Sequence, residues 1–570
     1  MLAVDVSQPL KAKQDQNDRP ALQDDIQLAA APGQDQAVAI AYAASLNAQK
    51  SKQPPPESAA SIRTRTLVIA SFWAIVIFLG LPIWYATTSV YRANLPLAQM
   101  QNWAEGRACR HVFPLRIDID PGTLRQEEAQ HLLRSTQHAL DDLNDFSAHH
   151  LRLQLSHYNN TSIEDVALLI KLLPGSTTEA ILESYEPTLN VYYTPSQIPT
   201  SPSSSSQLAT YIASQLRNLF AEEQAILAHL LATSNSPVER TTHTLDPSTA
   251  SALAKRTTRS LKYSRNYHLT FSLFTPTATP SEWRIQEALD THVLPLLESL
   301  SPISNFTIDT QIQLYAQPGT NSNALTQADL SSFINAAEWP LSPAISGVPT
   351  INFILYSDPT SNIHITDSPT QSWLIPQWGG IVLQSDISDL EPAMRTFTSQ
   401  LLALLGVPTT PPQSLPLRLA TLTRIHSATL LLSASSTLGS LARLTHALPS
   451  IPIPESVADG VSTTLHHLQL ACGDPPSTTT LPASQSPPLT STTTKSPYGI
   501  SGLGALHHAR IAHEQAERAF FEKSMVGQVY FPDEHKVAVY LPLLGPVGVP
   551  LVMGALKEFK AWRLRRASGL

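Results

Sequence analysis

Cysteine is nearly missing from this chain: Cys109 and Cys472 are the two in 570 residues. Two cysteines cannot build a disulfide framework, and these two form no C-x-x-C metal or redox pair. A single bridge between them stays open. Charge is scarce too, at 14% of residues, and the net charge of −8 is spread without a large basic block. That removes the electrostatic footprint nucleic acid requires. Catalytic signatures are equally thin. In "GISGLG", Gly499–Gly504, a nucleophile elbow would need glycine where Leu503 stands. "HEQAE", from His513, lacks the second histidine of H-E-x-x-H. No repeat with a 20 to 50 residue period is visible.

What the chain does have is proline, 46 residues of it, much of it with Ser and Thr in loops, and two long uncharged runs. Thr66–Ala86, "TLVIASFWAIVIFLGLPIWYA", is 21 residues, enough at about 1.5 Å per residue to cross roughly 30 Å of hydrocarbon. It follows too long a leader and is itself too long for a signal peptide. Trp84, Tyr85 and Tyr91 cluster at its far end, where aromatic rings favour the water interface. The second run, Val537–Leu556, is "VAVYLPLLGPVGVPLVMGAL".

Flanking charge orients both runs. Lys557, Lys560, Arg563, Arg565 and Arg566 follow the second; Lys50, Lys52, Arg63 and Arg65 precede the first. By the positive-inside rule both ends are cytosolic, and the stretch from about Val90 to Lys536 lies across the membrane, in the lumen of the endoplasmic reticulum or its topological equivalent. N-x-S/T acceptors at Asn159, Asn160 and Asn305 fall in that stretch, where glycans are attached.

The second run carries Pro542, Pro546 and Pro550. At a spacing of four they advance about 40° per step and share one stripe of a helix. Each removes a donor from the backbone ladder, and lipid cannot replace it. Freed backbone groups are tolerated in a bilayer where neighbouring helices or side chains satisfy them. Gly545, Gly548 and Gly554 offer small surfaces for close helix contact. The segment is therefore expected to pack against other membrane helices through Pro542, Gly545, Pro546, Gly548 and Pro550. A kinked lone anchor is the alternative. Pro82, after Gly80, repeats the pattern weakly.

Between the runs, strand-like and helix-like segments alternate. "LRIDID" (Leu115–Asp120), a helix to about Ser147, "LRLQLSHY", another short helix, and "TLNVYY" come first. The helix "QLATYIASQLRNLFAEEQAILAHLLA" follows. "YHLTFSLF", a helix over about Glu282–Ser299, "FTIDTQIQLYA", "TINFILYS" and "WLIPQWGGIVLQ" come next, then a helical block from about Ile387 to Leu448, interrupted by "GVPTTPPQSLP", and further helices at Ser456–Leu470 and Ser501–Met525. The expected fold is an α/β lumenal domain, a mixed sheet with flanking helices, between two transmembrane helices. The divisions are a disordered cytosolic tail (1–62), the first span (66–86), the lumenal domain (91–475), a mobile Ser/Thr/Pro-rich loop (475–497), a helix leading to the membrane (498–536), the second span (537–556) and a basic cytosolic tail (557–570).

Candidate chemistry inside the domain resolves mostly to structure. Asp118 and Asp120 share a strand face, which suits a hard cation, yet before "PGTLRQEE" they read better as turn and cap groups. His507, His508 and His513 scatter around a helix axis. Cys109 sits beside Arg107, Arg110 and His111, which would lower a thiol pKa, without a nucleophile motif. No catalytic, cofactor or metal residue is assigned.

Particular strings resemble one family. "YRANLPL" (Tyr91–Leu97), "LSPISNFTIDTQIQLYA" (Leu300–Ala316), "FINAAEWPL" (Phe333–Leu341), "LIPQWGGIVL" (Leu374–Leu383), "LLGVP" (Leu404–Pro408) and "VYFPDEHKVAVYLPLLGPVGVP" (Val529–Pro550) resemble, in order, the PIG-S or Gpi17-type subunit of the GPI transamidase. The resemblance implies a non-catalytic accessory subunit in a complex that attaches preassembled GPI anchors to the C-terminus of proproteins. It implies PIG-T, PIG-U, the catalytic PIG-K and a metallopeptidase-like subunit as partners, with the catalytic cysteine on PIG-K, and it makes Asn305 the foremost glycosylation candidate. A membrane-anchored lumenal enzyme, or a receptor acting on glycolipid, is the alternative.

Overall fold

The computed structural model describes residues 58–88, 91–109, 113–144, 148–156, 166–198, 206–234, 247–277, 283–319, 322–334, 347–358, 363–366, 370–449, 451–472, 502–525 and 533–567. The expected tail before residue 58 and the Ser/Thr/Pro-rich loop lie outside these residues. The chain divides into two compact units, Met1–Ser89 with Val539–Leu570, and Val90–Ala538.

In the first unit, α1 (Ala59–Ile75) runs through a π-helical turn (Val76–Gly80) into α2 (Leu81–Thr88). Ser58 starts it by accepting the amide of Ser61 at 3.2 Å, an N-cap. The wider turn lies directly before Pro82, which has no N–H for the carbonyl of Phe78; such π turns absorb breaks in the ladder. Among the described residues one helix, Ala60–Ala86, is long and apolar enough to cross a membrane.

The second unit opens on α3 (Leu97–Ala104) and builds a first sheet from β1 (Phe113–Asp120), α4 (Gln126–Asp142), β2 (His149–Leu155), β3 (Leu168–Pro174), β4 (Glu179–Leu182) and β5 (Thr188–Tyr193), followed by α5 (Gln207–Thr233) and α6 (Pro247–Arg259). The chain then runs through β6 (Asn266–Thr275), α7 (Ile285–His292), α8 (Leu294–Leu300), β7 (Asn305–Leu314), β8 (Ala324–Leu325), β9 (Thr350–Tyr356), β10 (His364–Ile365), β11 (Ser372–Ile375), β12 (Gly379–Leu383) and α9 (Glu391–Leu404); β8 and β10 pair with each other in parallel as a two-stranded sheet, and the other strands form a second five-stranded sheet. The chain continues through α10 (Leu415–Ala447), α11 (Glu455–Ala471), α12 (Gly502–Phe520) and α13 (Asp533–Ala567).

The two five-stranded sheets have the same plan. Their orders are β2-β1-β3-β5-β4 and β11-β12-β9-β6-β7. Each is a parallel group of four whose last strand pairs with an antiparallel neighbour, β4 on β5 and β11 on β12. Ranked by appearance, both read second-first-third-fifth-fourth, and each ends in a helix, α5 or α9. The unit is a tandem of two topologically equivalent halves plus a helical block. The repeat is one of strand order and leaves no short period in the sequence. A short helix is expected from the sequence between "LRLQLSHY" and "TLNVYY"; the chain there forms β3 and β4. A short apolar run such as "LLIKLL" has no period that tells a buried strand from a helix, and here parallel pairing to β1 and β5 decides it.

Each half keeps its own core. Leu115, Ile117, Ile170, Val191 and Phe220 belong to the first; Leu269, Phe271, Phe353 and Phe397 belong to the second, which extends into the helical block. A fully buried side chain of this size contributes about 1.5–3 kcal/mol. Two helices cross from one core to the other. On α5, Phe220 packs in the first core and Leu227 in the second; on α10, Leu417 and Leu422 do the same.

Candidate functional site

The three prolines of the second apolar run all lie inside α13, which is continuous from Asp533 to Ala567. Pro542, Pro546 and Pro550 are exposed, as are Val539, Leu544, Val547 and Val549. A Cβ placed on Gly545 or Gly548 would meet nothing within 4 Å. The face predicted to pack is thus open within its own unit. Gly554 differs: its Cβ would approach Ile69 Cδ1 at 3.7 Å. One turn further on, Arg65 Nε donates to Glu558 Oε1 at 2.6 Å and Thr66 Oγ1 to Glu558 Oε2 at 3.1 Å. Advancing four residues on α1, from Arg65 to Ile69, retreats four on α13, from Glu558 to Gly554, so the two helices run antiparallel. Trp73 Nε1, in α1, is buried with no hydrogen-bond partner.

Of the glycosylation candidates, Asn159 and Asn160 lie outside the described residues. Asn305 is the exposed first residue of β7, an edge strand. Its Nδ2 donates to Asn266 Oδ1 at 3.1 Å, and the hydroxyl of Thr307, two residues on, meets His268 Nδ1 at 2.8 Å.

The remaining chemistry-bearing residues find structural partners. Arg116 Nε and Nη2 reach Asp118 at 2.8 and 3.0 Å, and Asp120 accepts the amide of Gly122 at 3.1 Å. The two carboxylates are thus one half of a partly buried ion pair and a turn group. Gly122 has φ +56°, and a Cβ there would lie 2.5 Å from the Leu172 carbonyl oxygen, so the turn requires glycine. Cys109 and Cys472 are joined in a disulfide, with Cα atoms 6.3 Å apart, which ties the segment after α3 to the end of α11.

Two constellations were not visible in the sequence. The first sits where α5 and α10 pass between the cores. Glu223, buried, accepts Arg424 Nε and Nη2 at 2.7 and 2.6 Å and the hydroxyl of Thr421 at 2.7 Å, with His149 Nε2 at 3.5 Å. Burial works to raise its pKa, but Arg424 and then His149 hold the carboxyl well below the usual range. Its neighbour Glu222 binds Arg256 and the amides of Thr409 and Thr410, at 3.1 and 2.6 Å. Against burial, the bonds from Thr410, Arg256 and Thr409 bring Glu222 to about 2. The second joins α11 to α12. His467 Nδ1 meets His508 Nδ1 at 3.0 Å, flanked by His466 and His507. Burial first, then the neighbouring imidazoles, pushes His467 down to about 4 and lowers His508. His513 lies apart, 3.7 Å from Glu517. Among the described residues no group of three or more His, Cys, Asp or Glu is placed to hold a metal.

Comparison with known proteins gives a consistent picture. The family model described as phosphatidylinositol-glycan biosynthesis class S protein, PIG-S, matches residues 71–565. The GPI transamidase component PIG-S homolog of Schizosaccharomyces pombe is 28% identical, over 86% of this chain and 83% of its own. The GPI-anchor transamidase component PIGS of Rattus norvegicus is 27% identical over 86% and 95%. The GPI transamidase component GPI17 of Saccharomyces cerevisiae is 27% identical over 86% and 91%.

Proposed function

This chain belongs to the PIG-S family, and from that premise we propose that it is a non-catalytic accessory subunit of the GPI transamidase, supporting transfer of preassembled GPI anchors onto proproteins in the endoplasmic reticulum. The observation that carries the reading is the extent of the family match. Running from residue 71 to 565, it begins within the first apolar helix and extends almost to the end of α13, and the relatives that align over 86% of this chain are named as components of that enzyme.

In this reading α1–α2 and the apolar part of α13 form an antiparallel two-span hairpin with both ends in the cytosol and Val90–Ala538 in the lumen. The basic flanks support that orientation. The open Pro542–Pro550 face supports a third element packing on the hairpin, since backbone groups freed in lipid need protein partners. The partners are the catalytic PIG-K, PIG-T, PIG-U and the metallopeptidase-like subunit, with the catalytic cysteine on PIG-K. The lumenal halves act as a brace.

Blue-native electrophoresis tests this. Wild type in mild detergent should migrate in a large assembly that contains the catalytic subunit. Gly545→Leu/Gly548→Leu, which fills the open face, should release it while leaving the thermal transition of the lumenal unit in place. A stable monomer from wild type would overturn the subunit reading; full assembly of the double variant would overturn the packing face.

A further inference from the structure

The Val90–Ala538 unit contains a cavity of about 490 Å³ whose walls come from α5, α6, α10, α12 and the chain that follows α6. That size falls within the roughly 300–1,000 Å³ of small-molecule sites. Its aliphatic lining includes Ile226, Leu253, Leu261, Leu422, Ile425 and Leu430. An alkyl chain gains from every apolar wall atom it covers.

Polar side chains, among them His229, Thr257, Ser260, Gln377, Thr429 and Ser433, stand between these aliphatic residues and are unevenly committed. Arg256 is bound to Glu222 and donates to the Val407 carbonyl at 2.6 Å. Glu517 faces His513, whose Nδ1 is buried without a hydrogen-bond partner. His426 lies against Tyr263, the rings tilted by 51° with centroids 4.8 Å apart, and burial, then Arg510, keeps it neutral with a pKa of about 4. Lys262 is exposed at the rim, and among the described residues its ammonium faces no carboxylate. Lys262 is therefore a cation of the lining left without a partner, while the carboxylate of Glu517 lies on the α12 wall beside His513.

We propose that this cavity binds a single aliphatic chain ending in an anionic head, the chain lying against Leu253, Leu422 and Ile425 and the head at Lys262. A carboxylate and a phosphate monoester share the chemistry Lys262 recognises. Fatty acids and single-chain lysophospholipids are its two sources.

The test uses the full chain in phosphatidylcholine nanodiscs with two photoactivatable probes, a diazirine-bearing palmitic acid and a diazirine-bearing lysophosphatidic acid. Crosslinks should saturate and map to peptides covering Leu253–Tyr263 and Leu422–Ser433; the arm with tighter labelling identifies the source. Unlabelled palmitate should compete, whereas hexadecanol and cetyltrimethylammonium should compete at least about tenfold less well, the worth of one charge-assisted hydrogen bond. Lys262→Glu should weaken labelling by a similar factor and Lys262→Arg should retain it. Ile425→Trp should abolish labelling with an unchanged thermal transition; if that variant fails to fold, Leu253→Trp, on the half-exposed α6, makes the same test. Labelling that does not saturate, that survives the tryptophan variants, or that hexadecanol blocks as well as palmitate does would overturn the proposal.

Discussion

Removing the arginine from the buried Glu223–Arg424 pair should be among the most damaging single changes in the Val90–Ala538 unit. In Arg424→Met the carboxylate of Glu223 keeps the hydroxyl of Thr421 at 2.7 Å and the distant imidazole of His149 at 3.5 Å, but loses two short bonds to guanidinium. Leaving a charge buried without its partner costs about 3–5 kcal/mol, a large share of the roughly 5–15 kcal/mol that holds a domain together. Replacing both groups, Glu223→Leu with Arg424→Met, exchanges a desolvated ion pair for apolar packing and should cost little or stabilise.

Thermal unfolding of the purified full chain, read by intrinsic fluorescence, should therefore rank the single variant well below both wild type and the double variant. The pH dependence is a second check. In wild type the pKa of Glu223 is held below its unfolded value of 4.5, so the stability it contributes is present above about 4.5 and lost as pH falls through the folded value. With Arg424 gone, burial dominates and raises the folded pKa; the carboxyl then protonates to escape, and stability is lost as pH rises. The deficit of Arg424→Met relative to wild type should shrink from pH 8 to pH 5. A single variant as stable as wild type, or a deficit that grows on acidification, would refute the assignment of Glu223 as a carboxylate kept charged by Arg424.

Three further outcomes follow. The Cys109–Cys472 bridge closes a separation of 363 residues, so Cys109→Ser/Cys472→Ser should lose about 2–4 kcal/mol, and wild type should change mobility between reducing and non-reducing gels; identical mobility and stability would remove the bridge. Protonating His426 and His467, both held at about 4 against 6.5 unfolded, should destabilise the fold, with stability intact above about pH 6.5 and lost progressively towards pH 4. The buried His426 accounts for on the order of 1 kcal/mol at pH 5.5; His426→Phe should flatten that slope, and an unaltered slope would exonerate it. Asn305→Gln should remove one glycan's worth of mass from the protein made in microsomes, whereas no shift would leave the exposed start of β7 unmodified.

What was legible in the sequence was whatever depends on near neighbours. Alternation in "YHLTFSLF" and "FTIDTQIQLYA" anticipates β6 and β7, and the break at "GVPTTPPQSLP" separates α9 from α10, where Pro416 and the hydroxyl of Ser414 start the new helix. The proline stripe of α13 follows from a spacing of four. What was not legible depends on distant partners. Nothing in "AEEQA" says that Glu223 will meet an arginine 201 residues later. His507 and His508 scatter around one helix axis, and their meaning changes when α11 brings His466 and His467 alongside. The pairing of the two cysteines is settled by the packing of α3, α10 and α11, and the duplicated topology is a matter of strand order, which leaves no local periodicity.

The duplication also explains why a costly ion pair sits at this place. Two halves with separate cores would be expected to hinge at their boundary, as paired domains do. Here α5 crosses the boundary as one helix of 27 residues, about 40 Å long, and α10 crosses beside it. Apolar side chains alone allow such helices to slide or rotate with small changes in packing. A bidentate arginine–carboxylate contact does not, because its two bonds fix both distance and orientation. If register is what the pair supplies, the Glu223→Leu/Arg424→Met variant should melt as wild type does yet show faster amide exchange along α5 and α10, on either side of the seam. Unchanged exchange would mean that packing alone sets the register.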